Sequence, residues 1–245
     1  GSITYGAYEL GTLWVYRTVP EDMVWQKMEA TIEIELTHSR GGYAWHRTTQ
    51  GTPWIPLGSE GEFDSAQIKA ASQPVLLEDE IRYYYTGCPN RHGREDWPPP
   101  SKQPGQWGVS FASCKPDRFV AVTCEDEGRI LTRPFWVETA RFFVNADVAP
   151  EGGVRAEITD VKGNPISGFT LDESVAVRGD SCRHALAWKG DPDFSVLKDR
   201  EIRVRIEARH AKLYSIFIGT EEQSKRYWEF RIPYHIPMRH EKSRW

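Results

Sequence analysis

Two carboxylates, two residues apart, are the first feature of this sequence that could do chemistry. Glu33 and Glu35 lie in the segment ATIEIEL, where isoleucine and leucine occupy the alternate positions. Alternation with a period of two is typical of a half-buried β-strand, so both glutamates should project from one face. Paired carboxylates act as acid and nucleophile in glycoside hydrolysis. The alternative, which the sequence favours, is a solvated strand face.

The four cysteines do not have the spacing of a metal site. Cys88, Cys114, Cys124 and Cys182 include no C-x-x-C pair, so they do not indicate zinc binding. If Cys114 and Cys124 lay on a hairpin turning at residues 115–118, about five residues of strand would separate them, or ~17 Å. That distance is too long for a disulfide. The sequence therefore predicts four free thiols and leaves the cellular compartment open.

The composition argues against two classes of partner. The chain has 245 residues, which is enough for two ordinary domains, and its formal charge is −4. This balance gives no strong attraction to a phosphate backbone, so nucleic acid is not an expected partner. No apolar run approaches the ~18 residues that span a bilayer, so no membrane partner is expected either.

Short apolar runs divided by turn residues recur along the chain, and none has a sustained period of 3.6 residues. The segment DVKGNP at 160–165 predicts a hairpin turn, because Gly and Asn tolerate positive φ and Pro cannot continue a ladder. Together these patterns predict an all-β protein of the sandwich or propeller kind. Before residue 127, strands are expected at 10–18, 30–36, 74–87, 105–114 and 117–124.

Two irregular segments and the tryptophans complete the pattern. Residues 88–107 carry prolines that bar a central strand, and a loop of this length is either functional or disordered. Residues 221–245 have no clean period and predict an arm that packs on another surface, with terminal disorder as the alternative. Most of the ten tryptophans are expected in the core, and a minority could stack on sugar rings.

Residues 32–68, IEIELTHSRGGYAWHRTTQGTPWIPLGSEGEFDSAQI, contain a strand, a glycine-rich hairpin and the start of another strand. This segment resembles part of the bacterial five-bladed β-propeller proteins of the glycoside hydrolase family 32/43 type. In those proteins a Ser-x-Asp-Gly-x-x-Trp-x-Arg hairpin precedes a Gly-x-x-Gly-x-x-Asp segment that opens the next blade. Position 41 is Gly where Asp is usual, and Gly also fits a tight turn, so the hairpin is expected to be structural. The matching residues are Ser39, Gly42, Trp45, Arg47, Gly58, Gly61 and Asp64.

The later part of the chain is similar to the β-sandwich appended to these propellers, nearly continuously from residue 128 to about 219. The resemblance implies incomplete propeller blades over 3–125, a sandwich of two packed antiparallel sheets over 128–219 and a C-terminal arm over 220–245. The charged segment EDEGR places the boundary between residues 124 and 135. The side chains expected to face inward in the sandwich are Phe142, Val144, Ile202, Val204, Ile206 and either Tyr214 or Ile216.

Four residues are implied as contributors to the rim of a sugar pocket. Asp64 opens a blade, and His92 lies in a loop after the strand YYYTG that often carries a His in these proteins. Tyr85 and Trp97 are the other two. The alternatives are a turn or cap role for Asp64 and simple exposure for His92. The catalytic carboxylates of the resembled families come from earlier blades and have no matching motif here, so catalytic residues stay unassigned, and no metal or other cofactor is expected.

The resemblance implies the C-terminal portion, or a subunit, of a glycoside-hydrolase-like protein that acts on glycosidic bonds of an oligo- or polysaccharide. The alternative is a non-catalytic carbohydrate-binding or assembly module. Five blades of about four strands need far more chain than the residues before the sandwich. We therefore expect residues 1–125 to pack against a separate chain that carries the remaining blades, or against a second copy of this chain, burying over ~2,000 Å².

Overall fold

The computed structural model describes residues 1–18, 30–92, 107–137 and 141–225. The chain divides between Cys114 and Lys115 into two compact units. Both units consist mainly of β-strands, so the all-β prediction is confirmed. The described helical segments are short: a 3-10 turn at Phe194–Leu197 and helix α1 at Glu221–Lys225. Trp97 and the arm beyond residue 225 lie outside the described residues.

The first unit contains one eight-stranded sheet. Its order is β1-β2-β3-β5-β7-β6, and in addition β4 pairs with β3 and β8 pairs with β7. A parallel pair, Ile32 with Gln67, joins two antiparallel sets, β1–β4 and β5–β8. The strands are β1 (Ser2–Tyr5), β2 (Tyr8–Thr18), β3 (Ala30–Ser39), β4 (Trp45–Arg47), β5 (Gln67–Ala70), β6 (Val75–Leu76), β7 (Ile81–Cys88) and β8 (Gly108–Cys114).

The core of the first unit follows the period-two pattern of its strands. In β3 the alternate positions Ile32, Ile34 and Leu36 are buried, as the alternation predicts. Ile68 of β5 and Ile81 of β7 are fully buried in the same sheet. Burial of each such side chain stabilises the fold by about 1.5–3 kcal/mol.

The hairpin between β3 and β4 has the geometry that its motif predicts. Ser39 pairs with Trp45, and the Trp45 Nε1 donates a hydrogen bond to the Gly42 carbonyl oxygen at 3.0 Å. Gly41 and Gly42 both have a φ of 78°, a conformation that side-chain-bearing L residues rarely adopt. Glycine at position 41 is therefore compatible with the turn.

The second unit contains a six-stranded and a two-stranded sheet, both antiparallel. The six-stranded sheet has the order β10-β16-β12-β14, with β9 and β11 also paired to β16, and the small sheet pairs β13 with β15. The strands are β9 (Val122–Cys124), β10 (Gly128–Leu131), β11 (Phe135–Val137), β12 (Phe142–Asp160), β13 (Ser174–Val175), β14 (Gly179–Ala185), β15 (Ala187–Trp188) and β16 (Arg200–Ile218).

The two long strands β12 and β16 bend together, which curls the sheet around one core. Their register shifts between Val148 and Gly153, opposite His210, whose φ is 44°. Side chains from both halves of each strand pack into a single buried cluster. Five predicted inward-facing residues are buried in it, and Ile216 packs against it. The five are Phe142, Val144, Ile202, Val204 and Ile206.

The start of the second unit differs from the predicted boundary. Strand β9 lies in the portion that the sequence assigns to the propeller, yet it pairs with β16, while β8 pairs with β7. The two strands that flank residues 115–118 therefore do not form a hairpin with each other. All four cysteines are free, as predicted.

Arg118 holds the segment before β9 onto the second unit. Its Nε donates to the Asn145 Oδ1 at 2.9 Å, its guanidinium forms an ion pair with Asp180, and its Cζ lies 4.6 Å from the centre of the Tyr214 ring. Lys115 adds an ion pair to the same Asp180, at 2.5 Å. These contacts act over long sequence separations, which a local pattern does not reveal.

Candidate functional site

One end of the first sheet gathers most of the residues that the sequence nominates. Strands β3, β5 and β8 begin there, and β2 and β7 end there. Asp64 lies three residues before β5, Tyr85 lies in the last half of β7, and His92 lies four residues after β7. The strand register thus brings three of the four predicted residues to the same end.

Asp64 and Tyr85 form a hydrogen-bonded pair. The Tyr85 hydroxyl donates to the Asp64 Oδ2 at 2.6 Å, and Asp64 is only 7% exposed. The ring of Phe63 stacks on that of Tyr85, with an angle of 6° between the planes. Burial, followed by the neighbouring carboxylate, raises the pKa of Tyr85. Tyr85 is therefore a neutral hydrogen-bond donor near neutral pH, and Asp64 is its acceptor.

Three glycines lie so close to Asp64 and Phe63 that no side chain would fit in their place. A β-carbon on Gly58 would overlap the Asp64 carboxylate, and one on Gly87 would lie 2.5 Å from the Asp64 β-carbon. A β-carbon on Gly108 would overlap the Phe63 ring. Close backbone approach requires glycine at these positions. Gly58, Gly87 and Gly108 therefore allow Asp64 and Phe63 to pack closely against the backbone.

His92 forms a second pair, with Tyr16 of β2. The Tyr16 hydroxyl and the His92 Nδ1 are 2.6 Å apart, and the two rings meet edge to face with centres 5.2 Å apart. The His92 backbone exchanges hydrogen bonds of 2.8 and 3.0 Å with Ala30. Trp14 lies two residues before Tyr16 on the same strand face, and the two side chains are 49% and 42% exposed.

Tyr16 and Trp14 are residues that the sequence analysis missed. Trp14 and Tyr16 are two residues apart in β2, so the period-two pattern does predict that they share one face of the strand. The pattern alone could not reveal that this face is open at the strand edge. Nor could it reveal His92, which is 76 residues away from Tyr16 in sequence.

The register places the two pairs on opposite faces of the sheet end. Tyr16 aligns with Ile32 and, through the parallel pair, with Gln67, whereas Tyr85 aligns with Ala70. Gln67 lies between the pairs and is 2% exposed. Its Nε2 donates to the Asn90 carbonyl oxygen at 2.5 Å, and its Oε1 has no hydrogen-bond partner in the described part of the chain.

Glu35 is not on a solvated face, so the favoured interpretation of the glutamate pair is wrong for this residue. Its side chain is fully buried and accepts from the Arg47 Nε at 2.6 Å and from the Arg17 Nη2 at 2.9 Å. The Arg47 hydrogen bond lowers the pKa of Glu35 despite its burial. Glu35 is therefore held ionised and cannot act as a general acid near neutral pH. Glu33 forms an ion pair of 3.0 Å with Arg17.

Two further features are absent from the described residues. Across residues 1–18, 30–92, 107–137 and 141–225, no three His, Cys, Asp or Glu side chains are arranged to hold a metal ion. Within those same ranges, no helix is long and apolar enough to cross a membrane.

The site is thus the end of the first sheet, with the exposed Tyr16–His92 pair beside Trp14 on one face and the buried Asp64–Tyr85 pair on the other. Comparison of the chain with protein-family models, with curated proteins and with solved structures finds no match. The resemblance to glycoside hydrolase propellers therefore remains a prediction.

Proposed function

We propose that the first unit binds saccharide at the Tyr16–His92 end of its sheet and contributes this surface to a glycoside-hydrolase-like protein. That protein would act on glycosidic bonds of an oligo- or polysaccharide. The observation that carries the proposal is the 2.6 Å pairing of His92 with Tyr16 beside the exposed indole of Trp14.

This arrangement has the chemistry that a sugar requires. The faces of Trp14 and Tyr16 offer apolar surface for the C–H groups of a pyranose ring. The His92 Nε2 has no hydrogen-bond partner within the described residues, so it can donate to or accept from a hydroxyl. The backbone bonds to Ala30 hold His92 in place before any ligand arrives, which lowers the entropic cost of binding.

The Asp64–Tyr85 pair supports the opposite face. Asp64 is buried against Gly58 and Gly87 and holds the Tyr85 hydroxyl, so both side chains have fixed positions. In the proposed protein, one carboxylate would attack the sugar or activate water while another protonates the leaving oxygen. Because Glu35 and Asp64 are engaged in this chain, we infer that another polypeptide supplies these carboxylates. It would be either a separate chain carrying further blades or a second copy of this one.

Two features of the fold are consistent with the propeller and sandwich assignment that this proposal includes. The first unit contains two antiparallel sets of strands, β1–β4 and β5–β8, which the proposal assigns to two blades. The second unit contains two antiparallel sheets, one of which is curled around a common core.

A non-catalytic carbohydrate-binding or assembly module is the second candidate. One observation favours it: Glu35 is held ionised by two arginines, and Asp64 is held by Tyr85. A chain that binds sugar through Tyr16 and His92 needs no reactive carboxylate of its own.

A glycan array probed with the full chain tests the binding surface. We expect His92→Ala and Tyr16→Phe each to weaken binding at least about tenfold, since each removes a hydrogen-bonding group. The matched controls are His46→Ala and Tyr43→Phe, which alter exposed residues elsewhere. These controls should bind as the parent chain does.

The same samples separate the two candidate functions. Turnover of an aryl glycoside, by the chain purified together with any companion polypeptide found by intact mass, would favour the hydrolase, and binding without turnover by that same material would favour the module. An array on which the parent chain binds no glycan, or on which both site variants bind as the parent does, would refute the proposed surface.

A further inference from the structure

The second unit contains a polar cleft of about 590 Å³, a volume typical of small-ligand sites. Its floor is the outer face of the six-stranded sheet, where Glu207 and Arg209 alternate with the buried Ile206 and Ala208. The lining also includes Arg178, which follows β13. All lining residues belong to the second unit, so this cleft is separate from the sheet end described above.

Most of the floor is charge-balanced across the strands. Glu207 forms an ion pair with Arg129 of β10 at 2.8 Å and lies 3.6 Å from a guanidinium nitrogen of Arg155 of β12. One carboxylate thus lies between two arginines in a cross-strand row. These three side chains largely satisfy one another and do not define a ligand.

Arg209 is different, because its charge is not balanced within the described part of the chain. It forms no ion pair or side-chain hydrogen bond there, and its side chain is exposed. Its cross-strand neighbour is Gly153, which has no side chain to cover it. A guanidinium in a cleft without a partner is suited to bidentate binding of a carboxylate.

Arg178 provides a second guanidinium in the same cleft, already fixed in position. Its Nη1 donates to the Pro150 carbonyl oxygen at 3.0 Å and also to the Gly152 carbonyl oxygen. Its Nε and Nη2 make no hydrogen bond to any described residue. Held at one nitrogen, Arg178 can present the others to a ligand with little loss of side-chain entropy.

Hydrogen-bond acceptors for hydroxyl groups line the same cleft. Glu127 and Glu151 are exposed and have no ion pair or hydrogen bond within the described residues. Unpaired carboxylates would repel an anion that has no hydroxyl groups, but they can accept hydrogen bonds from the hydroxyl groups of a ligand that has them. The cleft therefore combines donors for one anionic group with acceptors for several hydroxyls.

We propose that this cleft binds a sugar acid of the hexuronate class. The carboxylate lies on Arg209 and Arg178, and the hydroxyls donate to Glu127 and Glu151. This site goes beyond the proposed saccharide surface of the first unit, since it occupies the other unit and selects for charge.

Isothermal titration of the full chain with three probes tests the site. D-Glucuronate should bind with a saturable isotherm, and D-glucose, which lacks the carboxylate, should give none. Inorganic sulfate lacks the hydroxyls and should bind at least about tenfold more weakly, since it forgoes several hydrogen bonds. Sulfate that binds as tightly as glucuronate, glucose that binds equally, or glucuronate that does not bind would each overturn the proposal.

Variants assign the binding to these side chains. Arg209→Gln should weaken glucuronate binding at least about tenfold, because a charge-assisted hydrogen bond is lost. Arg178→Gln is a second variant, with the same expectation. Arg133→Gln removes another exposed charge, outside the cleft, and this variant should bind as the parent does. An unchanged affinity for glucuronate in both cleft variants, or an equal loss in Arg133→Gln, would refute the assignment. The cleft variants should bind neutral glycans through the His92 surface as the parent chain does.

Discussion

The two units differ in how deeply the carboxylates of their ion-pair networks are buried. In the first unit, Glu35 is fully buried beneath two arginines that remain about one-third exposed. In the second unit, Arg118 is nearly buried, but its partner Asp180 is 40% exposed. A buried charge is costly without its partners, whereas an exposed one can turn to solvent. Substitution of Glu35 should therefore lower the free energy of unfolding more than substitution of Arg118, although each residue has several partners.

The largest effect is expected for Glu35→Ala. This change leaves Arg17 and Arg47 without their common acceptor beneath the β3–β4 hairpin, and we expect a loss of about 2 kcal/mol in the free energy of unfolding. Urea denaturation measures the loss, and hydrogen exchange of the β3 amides assigns it to the first unit. Glu33→Ala is the matched control, because Glu33 is more exposed and, among the described residues, forms an ion pair with Arg17 alone. An equal loss of unfolding free energy in both variants would show that burial of the carboxylate does not decide its contribution to stability.

A smaller effect is expected for Arg118→Ala. It removes the contacts to Asn145 and Asp180 and the cation–π contact with Tyr214, and we expect a loss of about 1.5 kcal/mol. Thermal unfolding of the full chain, with proteolysis between β8 and β9 as a second readout, measures it. Lys115→Ala is the control, since Lys115 shares only the exposed Asp180. A loss larger than that of Glu35→Ala would reverse the comparison.

The smallest effect is a pH dependence of the first unit. Because the folded pKa of Glu35 is below its ordinary value of 4.5, its stabilisation is fully present above that pH and is lost as the pH falls through the folded pKa. Acid unfolding of Glu35→Gln should therefore be less steep than that of the parent chain, and the two should not differ in slope between pH 6 and pH 8. The loss in the free energy of unfolding should be smaller for Glu35→Gln than for Glu35→Ala, because glutamine retains the shape of the side chain. Parallel acid profiles would show that Glu35 does not titrate on unfolding.

Much of the architecture could be predicted from local sequence. The period-two pattern predicted β3, since alternate side chains of a strand point to opposite faces. Five of the residues that the sandwich resemblance places inward in β12 and β16 are buried. The DVKGNP turn is present, with Gly163 at a φ of 92° and with the Asp160 carboxylate accepting from the backbone nitrogens of Lys162 and Asn164. Such features depend on neighbours within a few residues.

The site could be predicted only in part. The resemblance nominated Asp64, Tyr85 and His92, and the strand register brings all three to one end of the sheet. It did not nominate Tyr16, which is the hydrogen-bond partner of His92, nor Arg209, because exposure and the lack of a partner are properties of the folded chain. Glu35 was assigned to a solvated face for the same reason.

The sequence by itself determined several of the strands, the positions of the DVKGNP and β3–β4 turns, and which side of β3 is apolar. Only the tertiary structure decided that β9 joins β16, that Glu35 is buried under Arg17 and Arg47, and that Tyr16 meets His92. The reason is physical: turn and strand preferences act between near neighbours, whereas sheet pairing, burial and ion pairing depend on residues brought together from distant parts of the chain.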